Sequence, residues 1–409
     1  SDDSAEVGDL RLPFIGREHH LETLDRLFGQ AASGACMLHL HGPSGVGKSA
    51  LANRFLLGLE TAGEAVILAG RCYEQESVPY KALDSLVDSL SRHLLQLPTD
   101  EARELVPADI AALGVIFPVL ERVEAVRLAP PRNIPDPFEL RRVAFESLAE
   151  LLRRLGERRR VVLYIDDLQW GDVDSAAFLR ELIESRFPPR LLFVASYRSE
   201  YRDRSPCLRA LPGPQTSDGE RVLIDELVVG PLGREEARSL AVTLLDEGHE
   251  AADADRIAVE SGGNPYFVYE LTSAVKLDLQ RDGGDTELSQ LDLDEALWAR
   301  VQSLRETPRR LLEAIAVSSR PIPLRNVYEA AGINSSGQPG LAELRSGHLI
   351  RRSGPGLDDE IESFHDRIRE SIIEHLDDAT RRRHHLGLAR SLEGVGNADP
   401  ETIAIHYHG

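Results

Sequence analysis

The stretch from Leu38 to Leu51, LHLHGPSGVGKSAL, limits what this chain can fold into more than any other. A short apolar run, Met37 to Leu40, feeds Gly42, Pro43, Ser44, Gly45, Val46 and Gly47. Lys48 and Ser49 follow, and then a helix-forming segment from Ala50 to Leu59. The pattern is G-x-x-x-x-G-K-[ST], with a strand before it and a helix after it. A chance match in a chain this long is on the order of 1%. Glycines let the backbone curl so that successive N–H groups point inward at phosphate oxygens. The helix behind them adds partial positive charge at its N-terminus. The expected nucleotide-binding residues here are Ser44, Gly45, Val46, Gly47, Lys48, Ser49 and Ala50. Lys48 would reach the β- and γ-phosphates, and the Ser49 hydroxyl would hold Mg²⁺.

At 409 residues the chain is too long for one core, and the length suggests roughly two to four domains. It carries 68 acidic against 47 basic residues, a net charge of −21. That balance argues against nucleic acid as a partner of this fragment, because binding to a phosphate backbone needs a positive surface. No run reaches the apolar length that spans a bilayer, so no membrane partner is expected. The acidic start, Ser1-Asp2-Asp3-Ser4, has no signal-peptide core, which reads as cytoplasmic. It also lacks an initiator Met, as a piece of a longer polypeptide would. Cys36, Cys72 and Cys207 are scattered without metal-ligand spacing and read as reduced and structural.

In chain order, LPFIGRE (Leu12 to Glu18) precedes an amphipathic pattern from His19 to Phe28. Its apolar residues, Ile15 among them, can lie against an adenine ring, with Arg17 reaching the nucleotide; otherwise it is a packing loop. AVILA (65–69) reads as a buried strand. In the loop after it, Tyr73, Glu74 and Glu76 either meet the γ-phosphate side or are solvated. Residues 81–128 show helical periodicity broken by Pro98, Pro107 and Pro118, and Phe138 to Leu155 is a strong amphipathic helix.

The second informative stretch is RVVLYIDDLQWGD, Arg160 to Asp172. The apolar run from Val161 to Ile165 suits the centre of a parallel sheet and delivers two acids to its C-terminal edge. Asp166 would bind Mg²⁺, and Asp167 would orient or deprotonate the attacking water. LLFVAS (191–196) is a further strand, after which Arg198 either senses the γ-phosphate or is solvated. VLIDEL (222–227) is the last strand of this part. Helical patterns then cover 234–245, 252–261 and 266–277, with SGGNP (261–265) between the last two and a polar linker at 278–291. Four more helical segments and two strand-like ones (349–352 and 361–364) follow in the order of a winged helix. The histidines near the C-terminus lack metal-ligand spacing.

This order of segments resembles the STAND class of AAA+-related ATPases, the signal-transduction ATPases with numerous domains. Relatives include the apoptosome ATPase, plant resistance proteins, bacterial LuxR-type regulators and kinase-fused ATPases. The resemblance covers residues 13–393 and rests on PFIGRE, GPSGVGKS, YIDDLQWGD, ASYR, GPL, SGGNP and FHD. It implies an N-terminal linker (1–12) and an α/β domain (13–229) with a five-stranded parallel sheet flanked by helices. A helical lid (230–291), a winged helix (292–377) and the start of a C-terminal helical repeat region (378–409) would follow. It further implies that Gly16 and Arg17 contact the adenosine and Pro231 the base. Arg198 would be the sensor, and His365 would touch the β-phosphate of ADP. Phe364 stands where relatives have Met, and no arginine finger is assignable.

The implied function is a slow ATPase used as a switch, with ADP bound in a closed state and ATP–Mg²⁺ in an active, self-associating one. Sensor and effector would lie outside this fragment, as helical repeats downstream and, in bacterial kinase-fused relatives, a Ser/Thr kinase upstream. Two alternatives are an initiator-like AAA+ motor acting on DNA and the ATPase part of a LuxR-type transcription regulator.

Overall fold

The computed structural model describes residues 13–73, 80–130, 134–185, 188–213, 222–245, 251–279, 293–335, 338–347, 349–352, 356–394 and 400–408. Two compact units divide the chain. One is Arg17–Gly230; the other runs from Pro231 onward and includes residues 13–16.

The first unit opens with α1 (Glu18–Gln30), β1 (Cys36–Gly42), α2 (Lys48–Ala62) and β2 (Ala65–Arg71). A helical segment follows: α3 (Lys81–Gln96), α4 (Thr99–Leu105), α5 (Ile110–Ile116), α6 (Glu124–Arg127) and the long α7 (Pro137–Arg158). The breaks fall where proline demands them. Pro98 caps α4, and Pro118 starts a single 3-10 turn, since proline lacks the N–H that continues a helix. Asp136 caps α7 by accepting from the Phe138 N–H at 3.2 Å, ahead of Pro137 in the first turn. Then come β3 (Arg160–Asp166), α8 (Val173–Glu184), β4 (Leu191–Arg198), α9 (Pro206–Ala210) and β5 (Leu223–Val228).

The five strands form one all-parallel sheet in the order β2-β3-β4-β1-β5. Val161, Leu163 and Ile165 of β3 and Phe193, Ala195 and Tyr197 of β4 share a core with the helices that follow β2. Val162, Tyr164, Leu192 and Val194, on the other face, are buried as well. A sheet covered on both faces explains why these strands read as continuous apolar runs. The strand order places β4 between β1 and β3, so the ends of three strands meet along one edge.

The second unit has two cores. Helices α10 (Arg234–Leu244), α11 (Ala251–Glu260) and α12 (Pro265–Leu279) enclose Leu240, Ile257, Val268 and Leu271, with Ile15 packed against them. The other core gathers α13 (Leu293–Ser303), α14 (Glu306–Ser318), β6 (Ile322–Pro323), α15 (Leu324–Ala330), α16 (Leu341–Ser346), β7 (Ile350–Arg352), β8 (Glu360–Ser363) and α17 (Asp366–His375). Its antiparallel sheet has the order β6-β8-β7. The two-residue strand β6, at Ile322-Pro323, has no sequence signal because it is shorter than any periodicity. Glu270 of α12 and Arg300 of α13 join the two cores through a buried ion pair at 2.6 Å. Burial raises the Glu270 carboxyl above its ordinary range, against the pull of Arg300.

Helices α18 (Asp378–Gly394) and α19 (Pro400–His408) complete the described chain. His385 and His406 face each other, Nδ1 to Nδ1, at 3.0 Å, so one ring donates and the other accepts. Burial, then His385 and Arg320, lower the His406 imidazole from 6.5 to about 4. A histidine held below its unfolded value binds its proton less well when folded. Its stabilising contribution is therefore complete above 6.5 and is lost as pH falls toward about 4. Acidification should loosen α19 before α14, as hydrogen exchange corrected for intrinsic rates would report. Equal protection of both helices at neutral pH and near pH 4.5 would contradict this.

Candidate functional site

The phosphate-loop segment folds as its composition requires. Gly45 and Gly47 have φ of 81° and 93°, the left-handed region that side chains rarely adopt. Gly42 is needed for a different reason: a Cβ there would lie 2.1 Å from the Val229 carbonyl oxygen. Val46 is buried and anchors the loop, while Ser44 and Ser49 are partly exposed and Ala50 is exposed. Lys48 is buried, and its ammonium donates to the Gly42 and Pro43 carbonyls at 3.0 and 2.9 Å. Burial lowers its pKa, and the carboxylates of Asp167 and Asp166 oppose that shift.

The two acids at the end of β3 diverge. Asp166 Oδ2 accepts from the Ser49 hydroxyl at 2.8 Å. Its other oxygen, Oδ1, is buried without a hydrogen-bond partner. A hydroxyl and a carboxylate converging with an unused oxygen suit a hard divalent cation, so the residues present fit Mg²⁺. Tyr164 lies deep beside them, its hydroxyl pushed well above its ordinary pKa by burial and by Asp166.

Asp167 takes the left-handed conformation, φ 52° and ψ 39°, which aspartate tolerates better than most side chains. Its carboxylate meets Arg71 of β2 and Gln169 of the turn that follows. Oδ2 accepts from Arg71 Nε at 3.0 Å and Nη2 at 2.8 Å. Oδ1 accepts from Gln169 Nε2 at 3.0 Å. Gln169 Oε1 in turn accepts the backbone N–H of Arg198 at 3.2 Å. Arg198 is buried at the end of β4.

The structure thus brings Lys48, Ser49, Asp166, Asp167 and Arg198 to one sheet edge within the first unit. Arg17 belongs to that unit too. It has φ 74°, and its guanidinium donates to the carbonyls of Val46, at 3.2 Å, and Gly230. Ile15, Gly16, Pro231 and His365 belong to the second unit. Gly16 (φ 70°) lies against Glu236, where a Cβ would come within 2.2 Å of Oε1. Pro231 is exposed, and Leu232 beside it donates to the Gly263 carbonyl at 2.7 Å. His365 caps α17, accepting from the Arg367 N–H at 3.1 Å, and stacks on Tyr266 at 4.2 Å. Arg71 and Gln169 escape sequence reasoning. Arg71 looks like a strand-end cation, and Gln169 sits inside DDLQW without a chemistry of its own. Tyr73, read as either facing the γ-phosphate side or solvated, lies under the Arg71 guanidinium, whose carbon is 5.5 Å from the ring centroid. Glu74 and Glu76 are outside the described residues.

Residues 13–194 match the family profile described as AAA ATPase domain, and the five-stranded parallel sheet behind the phosphate loop is a P-loop ATPase fold. An uncharacterized protein of Rhizobium meliloti is 27% identical over 329 residues, covering 76% of this chain and 30% of that protein. A STAND protein with a tetratricopeptide repeat sensor from Pyrococcus horikoshii has a similar fold, with TM-score 0.57 and 15% identity. That likeness covers 97% of this chain and 48% of the other. A Walker-type ATPase of Pyrococcus abyssi aligns at TM-score 0.40 and 17% identity, covering 89% of this chain and 99% of that one. The chain therefore spans less than half the length of both the Rhizobium relative and the STAND protein. Among the described residues no helix is long and apolar enough to cross a membrane, and no group of three or more metal-ligating side chains stands together.

Proposed function

We propose that this chain is the nucleotide-operated switch of a larger signalling protein of the STAND class. The observation that carries the reading is the convergence of the phosphate loop, Asp166, Asp167 and Arg198 on one sheet edge of an AAA ATPase domain. The second compact unit, whose fold accompanies such a domain in a STAND protein, adds support.

In this reading the loop N–H groups and Lys48 hold the phosphates. Ser49 and Asp166 hold Mg²⁺, which would neutralise phosphate charge. Arg198 senses the terminal phosphate, and Asp167 orients or deprotonates the attacking water. Both Asp167 oxygens accept hydrogen bonds from Arg71 and Gln169. A carboxylate so engaged is a weak base, which fits slow turnover. The helical lid and a winged helix built on β6-β8-β7 would close over the nucleotide, with Pro231 on the base and His365 on the β-phosphate. ADP would stabilise the closed monomer only as far as it binds that state more tightly than the open one. ATP would favour a self-associating state, signalled by sensor and effector segments beyond this chain.

Light scattering of the ADP-loaded and ATP-analogue-loaded chain tests the reading. A monomer with ADP and a larger species with the analogue are expected, and identical masses would refute the switch. His365→Ala and His365→Phe should each speed ADP release at least about tenfold, a coupling of ~1.4 kcal/mol. The phenylalanine preserves an aromatic face for Tyr266 but cannot hydrogen-bond. Wild-type ADP release in His365→Phe would make the histidine a packing residue only.

A further inference from the structure

We propose that Gln169 is a positioning residue for hydrolysis: one buried amide fixes the Asp167 carboxylate against the strand end that bears Arg198. The inference rests on the reading of Asp167 as the water-orienting acid.

The amide's two partners have opposite demands. The Asp167 carboxylate only accepts, and it takes the Gln169 NH₂ at 3.0 Å. The Arg198 backbone N–H only donates, and it takes the Gln169 carbonyl at 3.2 Å. Only a side chain with a donor and an acceptor at the same reach satisfies both. Glutamate would keep the Arg198 bond and set a second negative charge against Asp167. Asparagine is one methylene too short. The bridge is rigid because Gln169 sits in a single 3-10 turn, Leu168–Trp170, and is 4% exposed, with Asp167 and Arg198 each at 9%. Buried polar groups in such a chain are strongly penalised when one partner is lost.

The bridge joins two strand ends that lie past the paired part of β3 and β4. Asp167 follows β3 and Arg198 ends β4, and backbone pairing between these strands runs from Val161 opposite Leu191 to Ile165 opposite Ala195, short of both residues. Beyond the last pair, Gln169 holds the strand ends together. A shift of the β4 end on contact with a terminal phosphate would be passed to Asp167 through this amide. Arg71, on the other carboxylate oxygen, comes from β2 and reports nothing about β4.

The test is the split between kcat and KM for ATP turnover by this chain carrying Gln169→Glu or Gln169→Met. Gln169→Glu keeps an acceptor for the Arg198 N–H and loses the donor to Asp167, so kcat should fall at least about tenfold with KM for ATP within about twofold. In Gln169→Met, which keeps the volume without polar atoms, kcat should fall at least about tenfold while KM for ATP stays within about twofold. If the glutamate variant does not fold, the methionine variant carries the test alone. Wild-type kcat in Gln169→Met, or in a folded Gln169→Glu, overturns the positioning role. Asp167→Asn separates the two levels. If it is inactive while both Gln169 variants behave as wild type, only the bridge fails. If it turns over ATP normally, the reading beneath it fails.

Discussion

Replacing Lys48 by Met should lower affinity for both ADP and ATP at least about a hundredfold, roughly 2.7 kcal/mol, without lowering thermal stability. The two halves of that expectation have one cause. The Lys48 ammonium is buried, and burial holds its pKa below the ordinary value. A lysine whose folded pKa is lowered is less favourable in the folded than in the unfolded protein while it stays charged. The Gly42 and Pro43 carbonyls compensate in part, at 3.0 and 2.9 Å. Methionine of similar length removes the desolvated charge, so melting should be unchanged or slightly later. A polyphosphate loses its only cation supplied by the loop itself. Calorimetric titration with ADP, beside a thermal melt, checks both. Affinity within twofold of wild type would remove the phosphate loop from the binding site.

The second large effect is expected at Asp167. Asp167→Asn should bind ATP within a few-fold of wild type and lose turnover by about 10²–10⁴, the range for removal of a positioned acid–base group. The substitution is close to isosteric, yet it changes the local bonding. Asp167 accepts from both Arg71 and Gln169, and an asparagine offers one acceptor and one donor group. The amide oxygen will turn to Arg71, because breaking a buried ion pair on one side leaves an uncompensated charge. Its NH₂ then opposes that of Gln169. Single-turnover hydrolysis with the nucleotide pre-bound separates chemistry from binding. A normal hydrolysis rate would take the catalytic role from Asp167 and leave it as the anchor of Arg71.

Both expectations concern residues that are legible in the sequence, and the reason is local. A phosphate loop is specified by contiguous residues: glycines where φ must be positive, a lysine and a hydroxyl at the helix start. The same holds for β3, whose apolar run and terminal acids share one strand. The proline breaks at Pro98 and Pro118 were readable because proline acts on its own backbone. The strand β6 was not, since two residues have no period, and its place in the sheet depends on Ile361 across from Ile322.

The residues that surround the acids belong to a different level. Arg71 and Asp167 are far apart in the chain, and their ion pair exists because β2 and β3 lie in parallel register, Arg71 opposite Asp166. Gln169 reaches Arg198 only because β4 is inserted between β1 and β3. Arg17 illustrates the same divide. The sequence aims it at a nucleotide, and the fold sets its guanidinium on the carbonyls of Val46 and Gly230. The amino-acid sequence alone determined the chemistry of the loop, the acids and the alternation of strands with helices, because each is encoded by neighbours along the chain. Tertiary structure decided which side chains restrain those groups, because hydrogen bonds between strands depend on the order and register in which distant segments pair.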